Sequence, residues 1–311
     1  MSRREVTLIV ALSLIWGASF MFIRVADRQF NPSALVLFRV GLGAVVLVPV
    51  ALARTGGRTV LAQVRAKWLP IVVVGLVNTA IPFLCFSWAE TRIDSSLAGI
   101  LQAAAPMFTV LIAVGVLHER VSGVRWLGFV AGFAGVALLV GTPGPGETLA
   151  CLAVVLAALC YAVGSTISSR ALRGTEPLVI AAGSTVVATL VVAPFGATHL
   201  PTAVPGWKEC ASVAVLGTLG TGIAYMILFA LIRSAGPSRT ILVTYLIPGI
   251  AVLYGALLLN ESVTVVSVIG LALILLGVAL AGRGRKAASP NRAAPKHPVA
   301  ATAAMEGGEG R

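Results

Sequence analysis

The stretch LQAAAPMFTVLIAVGVLHERVSGVRWLGFVAGFAGVALL at residues 101–139 decides the fold, because the second half of the chain repeats its pattern. With Ser96 placed over Ser238 and no gaps, 13 of the 45 aligned positions are identical. Apolar sequences often match by chance, so the proline, glutamate and glycine pairs carry the comparison. These pairs are Pro106 with Pro248, Glu119 with Glu261, Gly128 with Gly270 and Gly135 with Gly277. The chain therefore contains an internal duplication.

Each half of the duplication holds an odd number of apolar segments. The front of the second half also aligns with the front of the first, at a slightly different offset that pairs Pro32 with Pro177. We therefore divide the chain into two five-helix repeats, residues 1–141 and 147–282. Because five is odd, the second repeat must enter the membrane in the opposite sense to the first. Inverted repeats are typical of secondary transporters, which bind substrate near the bilayer midplane, although channels also arise by duplication.

The composition places both repeats in a membrane. The 311 residues are 58% hydrophobic and only 11% charged, whereas soluble domains carry about 25% charged residues. A spanning helix needs about 20 mostly apolar residues, and ten such runs follow one another. They are 6–23, 34–53, 68–88, 96–117, 123–140, 147–169, 177–195, 208–231, 238–259 and 264–281. We predict an all-α integral membrane fold of ten transmembrane helices.

The positive charge of the chain fits this topology. A net charge of +12 would also suit a nucleic-acid-binding protein, but the charges fall in short gaps between apolar runs. With the N-terminus inside, the inside gaps hold 15 Lys and Arg residues and the outside gaps hold 4, as the positive-inside rule requires. We therefore expect a multi-pass protein of the cytoplasmic membrane with both termini cytoplasmic. Residues 283–311 have no apolar face and are predicted to form a disordered cytoplasmic tail.

Four sequence motifs resemble those of a known family. They are WGASF at 16–20, FRVGLGA at 38–44, the stretch at 101–139, and LIPGIAVLYGALLLNESVTVVSVIGLALILLGVAL at 246–280. Over about residues 5–282 the chain is similar to the EamA-type carriers of the drug/metabolite transporter superfamily. The resemblance implies a ten-helix fold and the export, less often the uptake, of small metabolites, amino acids or drugs. Because the family is broad, the resemblance implies a class of substrates and not a single compound.

Two prolines near the middle of apolar runs indicate where a cavity lies. Proline lacks an N–H, so Pro106 and Pro248 free the backbone carbonyls of Gln102 and Thr244, four residues earlier. Unpaired backbone at membrane depth is tolerated only inside the protein or facing a cavity. We predict that both prolines kink their helices and that Gln102 and Thr244 lie near a bound small-molecule substrate. In the alternative, each polar side chain bonds its own helix or a neighbouring one.

Arg39 is the one clear charge inside an apolar run. A charge there is costly and by default marks a functional site, where it would hold a carboxylate or other anionic group of the substrate. Arg39 also lies about one and a half turns from the outer end of its helix, so its side chain could reach the interface. A structural role at helix-end carbonyls is the alternative. The resemblance to EamA-type carriers also implies an arginine here.

Glu119 and Glu261 occupy equivalent positions in the two repeats. The pair suggests proton coupling, but each acid sits in a tight turn just before the next helix. A carboxylate there caps the positive N-terminal end of that helix, and the two acids would lie on opposite membrane faces. We therefore favour capping. No acid lies in the middle of an apolar run, which weakens a simple proton-relay model. Facilitated exchange, or flow down the substrate gradient, remains open.

Six further side chains are candidates for contacting the substrate. They are Trp16, Asn78, Trp88, Tyr161, Tyr225 and Tyr245. Aromatic residues of membrane helices also belong to the core and to the interface belts. Each of the six side chains could therefore line the cavity or pack in the core.

The glycines Gly128, Gly132 and Gly135 form a small-residue face on one helix. Such faces let two helices approach closely. The face either packs within the monomer or forms a homodimer contact.

The sequence carries no enzyme signature. His118, His199 and His297 are scattered, and the HExxH, GxxxxGK and nucleophile-elbow patterns are absent. The 4 cysteines lack the spacing of a metal site or disulfide framework, so we expect no bound metal. Together with the missing enzyme motifs and the position of the charges, this predicts no cofactor, no catalysis and no nucleic-acid partner.

The predicted function is a secondary transporter that moves, and by the resemblance exports, a small-molecule substrate across the lipid bilayer by alternating access. One alternative is an integral membrane enzyme acting on lipid-linked substrates. It would need a cluster of acids or histidines at one membrane face, which we do not find in the sequence. The other alternative is a non-transporting membrane partner protein, which would have a packed interior.

Overall fold

The computed structural model describes residues 1–117, 123–140, 144–240 and 242–282. Within these ranges the chain is helical and contains no strand. Glu119 and His118, and with them the predicted tail 283–311 that contains His297, lie outside the described residues.

The first half begins with two long helices, and shorter helices follow. They are α1 (Arg3–Ala26), α2 (Pro32–Thr55), α3 (Gly57–Ala66), α4 (Trp68–Gly75), α5 (Ile81–Glu90), α6 (Ser95–Gln102), α7 (Ala105–Leu117) and α8 (Gly123–Val140). A π-helical turn, Leu76–Ala80, joins α4 to α5. The helix α3 lies in a segment between predicted spans and has no buried residue.

The second half follows the same order of long and short segments. Its helices are α9 (Pro145–Ala171), α10 (Pro177–Gly196), α11 (Trp207–Gly217), α12 (Ala224–Ala235), α13 (Pro237–Thr240), α14 (Leu242–Leu258) and α15 (Val265–Gly282). A second π-helical turn, Thr218–Ile223, joins α11 to α12. A short 3-10 turn, Ala197–His199, follows α10.

Seven helical runs of the described chain are long and apolar enough to cross a membrane. They are Arg3–Ala26, Pro32–Thr55, Trp68–Glu90, Ser95–Ile112, Gly146–Ala171, Pro177–His199 and Trp207–Ala235. Three shorter apolar helices cover Trp126–Val140, Leu242–Leu258 and Val265–Ala281. Large apolar side chains such as Val45 and Leu190 are exposed on the outside of the bundle, as a lipid-facing surface requires. This is the architecture of a multi-pass membrane protein.

Helices at equivalent positions of the two halves contact equivalent partners. α2 packs on α10, and α8 packs on α15. α1 contacts α11, α12 and α14, and α9 contacts α4, α5 and α7, which stand at the equivalent positions of the first half, as well as α6. The long helices therefore pack on partners at equivalent positions of the two halves.

The glycine face of α8 is used inside the chain. A Cβ atom at Gly277 of α15 would lie 2.6 Å from the Cα of Gly132 and 2.7 Å from the carbonyl oxygen of Gly128. A Cβ at Gly135 would lie 2.8 Å from the Gly270 carbonyl oxygen. Only glycine permits such close approach of two helix backbones. The face therefore packs α8 on α15 in the same chain.

The two prolines affect their helices differently. Ahead of Pro106 the helix is interrupted at Ala103 and Ala104, whose N–H groups bond back three residues to carbonyls at 3.0 and 3.1 Å. The helix α14 continues through Pro248 without a break. The kink predicted at Pro106 is therefore a break between α6 and α7, whereas α14 has no such break at Pro248.

The connecting turns define two ends of the bundle. Asp27, Asp94 and Glu261 lie together at one end, which we call the Asp27 end. At the opposite end, the Arg239 end, Arg239 Nη1 lies 3.3 Å from Glu5 Oε2 and joins α13 to α1. The Glu5 side chain also accepts the backbone N–H of Ser2, the N-cap of α1.

Candidate functional site

A cavity of about 500 Å³ lies between the two halves of the bundle. Its wall combines residues of α1, α2, α5 and α6 from the first half with residues of α9, α12 and α14 from the second. The cavity extends from Arg39 and Phe86 to Thr240, the neighbour of Arg239. It therefore leads from the middle of the bundle toward the Arg239 end.

The fold brings most of the predicted site residues to this cavity. Seven of the nine line it, namely Trp16, Arg39, Asn78, Gln102, Tyr161, Tyr225 and Thr244. Trp88 and Tyr245 are not part of its lining. The Trp88 ring instead lies under the guanidinium of Arg92, 4.1 Å from ring centroid to Cζ, and Tyr245 packs partly buried against the core. A role of any of these residues in binding stays a prediction.

The two π-helical turns shape the wall of the cavity. One contains Asn78 and the other contains Gly220, and both residues line the cavity. The indole Nε1 of Trp16 donates a hydrogen bond to the Gly220 carbonyl oxygen at 3.1 Å, which fixes the Trp16 ring at the wall. π-helical turns inside α-helices frequently occur at functional sites. Hydrophobic periodicity contains no signal for such turns, so they were not among the predicted features.

Arg39 supplies the positive charge of the cavity. Its side chain is only 6% exposed, and its Nε donates to Thr221 Oγ1 at 3.4 Å. The guanidinium Cζ lies 3.9 Å from the centroid of the Phe83 ring. In the described part of the chain Arg39 forms no ion pair with a carboxylate, and its side-chain bond goes to a hydroxyl, not to a helix-end carbonyl. A buried cation of this kind is stabilised by an anionic partner.

Aromatic rings form the apolar part of the wall. Phe86 stacks on Tyr161 with ring centroids 6.2 Å apart, and Phe20 meets Phe86 edge-on at 5.6 Å. Trp16 meets Tyr225 edge-on at 6.5 Å. Aromatic walls with a few polar groups are the usual surroundings of a small organic ligand.

Acidic residues gather at a second cavity, which the sequence analysis did not foresee. This cavity of about 510 Å³ lies at the Asp27 end and is lined by Arg24, Asp27, Asp94 and Glu261, among others. The expectation that no cluster of acids exists at one membrane face was therefore wrong. The acids lie in three separate turns of the sequence, and only the packing of α1, α5, α6 and α14 brings them together. Among the described residues, no group of three His, Cys, Asp or Glu side chains could hold a metal ion.

Asp27 is the most perturbed acid outside the spanning segments. Its Oδ1 accepts the Ser87 hydroxyl at 2.9 Å, and its Oδ2 is buried without a hydrogen-bond partner. Burial raises the pKa of Asp27 from 3.8 to about 8, against the opposing effects of the Ser87 hydrogen bond and the Arg24 charge. This carboxyl therefore exchanges its proton near neutral pH.

Glu261 joins the two halves of the bundle at the Asp27 end. Its Oε1 accepts the backbone N–H and hydroxyl of Ser95 at 2.9 and 2.7 Å, and its Oε2 accepts both donors of Ser96. We expected Glu261 to cap the helix that follows it, and that expectation was wrong. Glu261 caps α6 of the first half, while Thr264 Oγ1 accepts the Ser267 N–H and caps α15. Burial opposes ionisation of Glu261, but the serine donors outweigh it and lower the pKa of this carboxyl.

Glu90 is a buried acid that was not among the predicted site residues. The predicted run ended at residue 88, whereas α5 continues to Glu90. The Glu90 side chain is fully buried, at 0% exposure, and neither carboxylate oxygen has a hydrogen-bond partner in the described structure. The signal available in the sequence was an acid within two residues of an apolar run.

Comparison with known proteins gives one family and several transporters. The model of the EamA-like transporter family matches residues 3–141 and 148–283. An uncharacterized transporter of Archaeoglobus fulgidus is 22% identical over 282 residues, which cover 89% of this chain and 99% of that protein. A probable terminal-alkyne amino-acid exporter of Streptantibioticus cattleyicolor is 26% identical over 302 residues, covering 93% and 98%. The uncharacterized inner membrane transporter YedA of Escherichia coli K12 is 26% identical over 281 residues, covering 88% and 89%.

A solved crystal structure supports the fold. It matches with a TM-score of 0.65 at 22% sequence identity, and the match covers 90% of this chain and 98% of the other. At this identity the likeness shows the fold alone. Because the family model covers both halves of the chain, this multi-pass membrane protein belongs to the EamA-like transporter family.

Proposed function

We propose that the protein is a secondary transporter that moves a small amphipathic metabolite, amino acid or drug by alternating access. The observation that carries the proposal is the central cavity, in which a buried Arg39 faces aromatic walls between two halves of one chain. A site between two equivalent halves can be exposed to either side when the halves rock.

We further propose ten spanning helices in two inverted repeats, residues 1–141 and 147–282. The exchange of equivalent helix contacts between the halves supports this arrangement. The distribution of Lys and Arg supports cytoplasmic termini, which would place the Arg239 end inside the cell. The name of the Streptantibioticus cattleyicolor relative, a probable amino-acid exporter, supports export as the direction.

The cavity chemistry supports a substrate with a carboxylate or another anionic group. Arg39 would hold the anion, since its guanidinium is desolvated and forms no ion pair with a carboxylate among the described residues. Gln102 and Thr244 add polar contacts from α6 and α14, and the rings of Phe86 and Tyr161 accept the apolar body. Binding of this kind suits amino acids and related carboxylates.

The two ends of the bundle differ in a way that supports alternating access. At the Asp27 end, Glu261 of the second half holds Ser95 and Ser96 of the first half. The central cavity instead leads toward Thr240 and the Arg239 end. We interpret the arrangement as a state closed at the Asp27 end and accessible from the Arg239 end.

The alternatives make different demands on the same residues. A non-transporting partner protein needs Gln102 and Thr244 packed, yet both line a cavity. A membrane enzyme could use the acids at the Asp27 end, but Glu261 there is already occupied by serine donors. A homodimer would need a surface other than the glycine face of α8, because α15 covers that face.

Flux through proteoliposomes tests the proposal. Purified protein would be reconstituted and supplied with a radiolabelled panel of amino acids and other small carboxylates. We expect saturable flux of at least one compound, weakened by Gln102→Ala and unchanged by Arg92→Ala, which alters a charge outside the cavity. The absence of saturable flux for the whole panel, with correctly folded protein, would contradict the proposed substrate class.

A further inference from the structure

The C-terminal part of α5 separates the two cavities. Phe83 and Phe86 line the central cavity, whereas Ser87 donates to Asp27, which lines the cavity at the Asp27 end. Residues three and four apart lie on one face of a helix. Glu90 therefore continues the face that carries Phe86 and Ser87, one turn further along. The Glu90 side chain is fully buried and lines neither cavity, so we assign it to the partition between them.

The carboxylate of Glu90 lacks the partners that a buried acid needs. Neither of its oxygens has a hydrogen-bond donor, and the Oδ2 of Asp27, whose charge acts on Glu90, is also without one. The guanidinium of Arg24 donates to the backbone carbonyl of Glu90 and not to its carboxylate. Buried polar atoms in folded proteins are nearly always paired, so two unpaired carboxyl groups in one place indicate a ligand.

The charges around Glu90 favour a proton as that ligand. The charged groups that face it are Asp27, Glu261, Arg24 and Arg39, and Tyr161 of α9 stacks on the neighbouring Phe86. Two facing acids and the negative C-terminal end of α5 oppose a further negative charge, while the two arginines favour it. Without a donor at either oxygen, the neutral acid is the form that these surroundings accommodate.

A metal ion fits the same place poorly. Metal cations need several oxygen ligands in direct contact, and no group of three suitable side chains exists among the described residues. Arg24 also places a positive charge beside Glu90. A proton needs only one carboxyl oxygen.

We propose that Glu90 is a proton-binding site that couples substrate transport to a proton gradient. The proposal rests on the proposed transport function. Water at the Asp27 end supplies the proton, Asp27 accepts it, and it moves to an oxygen of Glu90. When the partition opens toward the central cavity, Glu90 releases the proton to water there. No covalent bond other than the O–H bond changes. Asp27 suits the relay, since burial raises the pKa of this carboxyl to about 8.

The first test needs no substrate, because the probe is the proton itself. Infrared spectroscopy of reconstituted protein, titrated with acid and base, reads the C=O stretch of protonated carboxyl groups. At neutral pH we expect protonated carboxyl bands from both buried Asp27 and Glu90. The band of Glu90 disappears in Glu90→Gln, whereas both bands persist in Glu147→Gln, a control at an exposed acid of α9. Unchanged carboxyl bands in Glu90→Gln would overturn the proposal. If Glu90→Gln does not fold, carbon-13 labelling of glutamate in the natural sequence must shift one of these bands, and unshifted bands overturn the proposal.

The second test measures coupling in proteoliposomes with a radiolabelled amino-acid mixture. For one proton per substrate, a gradient of one pH unit changes the steady-state substrate ratio about tenfold. We expect Glu90→Gln to lose this response and Glu147→Gln to keep it. A response that persists in Glu90→Gln overturns the proton site alone. An absence of flux in the unaltered protein contradicts the transport function and the coupling with it, while the infrared band still reports proton binding by itself.

Discussion

Glu261 accepts the backbone N–H of Ser96 at 2.9 Å, and this bond ties the second half of the chain to the first at the start of α6. The Ser95 donors add two more bonds to the same carboxylate. These contacts lie at the Asp27 end, whereas the central cavity leads toward the Arg239 end. In the proposed transport cycle we expect them to stabilise the state that is closed at the Asp27 end. Hydrogen bonds to a charged group each contribute about 1.5–3 kcal/mol.

The first prediction concerns Glu261→Gln. The substitution removes the charge that strengthens four hydrogen bonds, and we expect a loss of stability on the order of 2 kcal/mol at neutral pH. Because the pKa of Glu261 is lowered in the fold, its stabilisation is present above the unfolded value of 4.5 and is lost as pH falls through the lower folded value. Thermal unfolding in detergent at neutral and acidic pH measures the difference. Equal unfolding temperatures for Glu261→Gln and the natural sequence at neutral pH would contradict the role of Glu261.

The second prediction concerns Asp27→Asn and has the opposite sign. The folded pKa of Asp27 is raised to about 8, so between about pH 4 and 8 the unfolded chain releases this proton while the folded chain keeps it. The contribution of Asp27 to stability therefore falls over this range and is constant above it. Asparagine cannot ionise, and we expect a gain on the order of 2 kcal/mol at pH 9 and none at pH 4. Unfolding curves across this range provide the measurement, with Glu147→Gln as the control. A variant whose stability parallels that of the natural sequence at every pH would show that Asp27 ionises normally.

The third prediction concerns Arg39. If its guanidinium holds a substrate anion, Arg39→Gln removes a charged hydrogen bond, and KM for carboxylate substrates rises by about tenfold or more. Arg39→Lys keeps the charge but loses the planar contact with Phe83, so we expect an intermediate KM. Initial rates of uptake into proteoliposomes give these constants, and Arg92→Gln is the matched control. A KM that does not change in Arg39→Gln would assign Arg39 a structural role.

The fourth prediction concerns the contact between α8 and α15. In Gly277→Ala the new methyl group would lie 2.6 Å from the Gly132 Cα, so the helices must separate, at about 1–3 kcal/mol for overpacking. Gly249→Ala is the control, since a Cβ there meets nothing within 4 Å. Thermal unfolding of both variants is the measurement. Equal stability of the two variants would mean that α8 and α15 can move apart without cost.

The membrane fold could be predicted from the sequence because the length of the apolar runs and the repeated prolines and glycines indicate it directly. The family and most apolar runs follow from that pattern, and Gln102 and Thr244 could be assigned to the cavity because each precedes a proline by four residues. The break in the helix before Pro106 could be predicted for the same reason, because it follows from the missing N–H of proline.

Other features arise only from contacts between distant segments. Glu261 caps a helix that begins 166 positions away in the chain, which no local capping rule detects. Glu90 stands at a helix end whose position hydrophobicity defines only to within a few residues. The π-helical turn around Asn78 depends on its packing against α9 and α10, and the sequence around it reads as an ordinary apolar helix.

Substrate protection of a single cysteine in the cavity tests the central claim most directly. Thr244→Cys would be prepared in a chain whose Cys85, Cys151, Cys160 and Cys210 are replaced by alanine, and alkylated by a maleimide in the presence and absence of a transported compound. If the cavity binds substrate, the compound slows alkylation of the cysteine at 244 with the same concentration dependence as transport. Alkylation at an unchanged rate, with transport saturated, would show that the substrate passes elsewhere and would contradict the account.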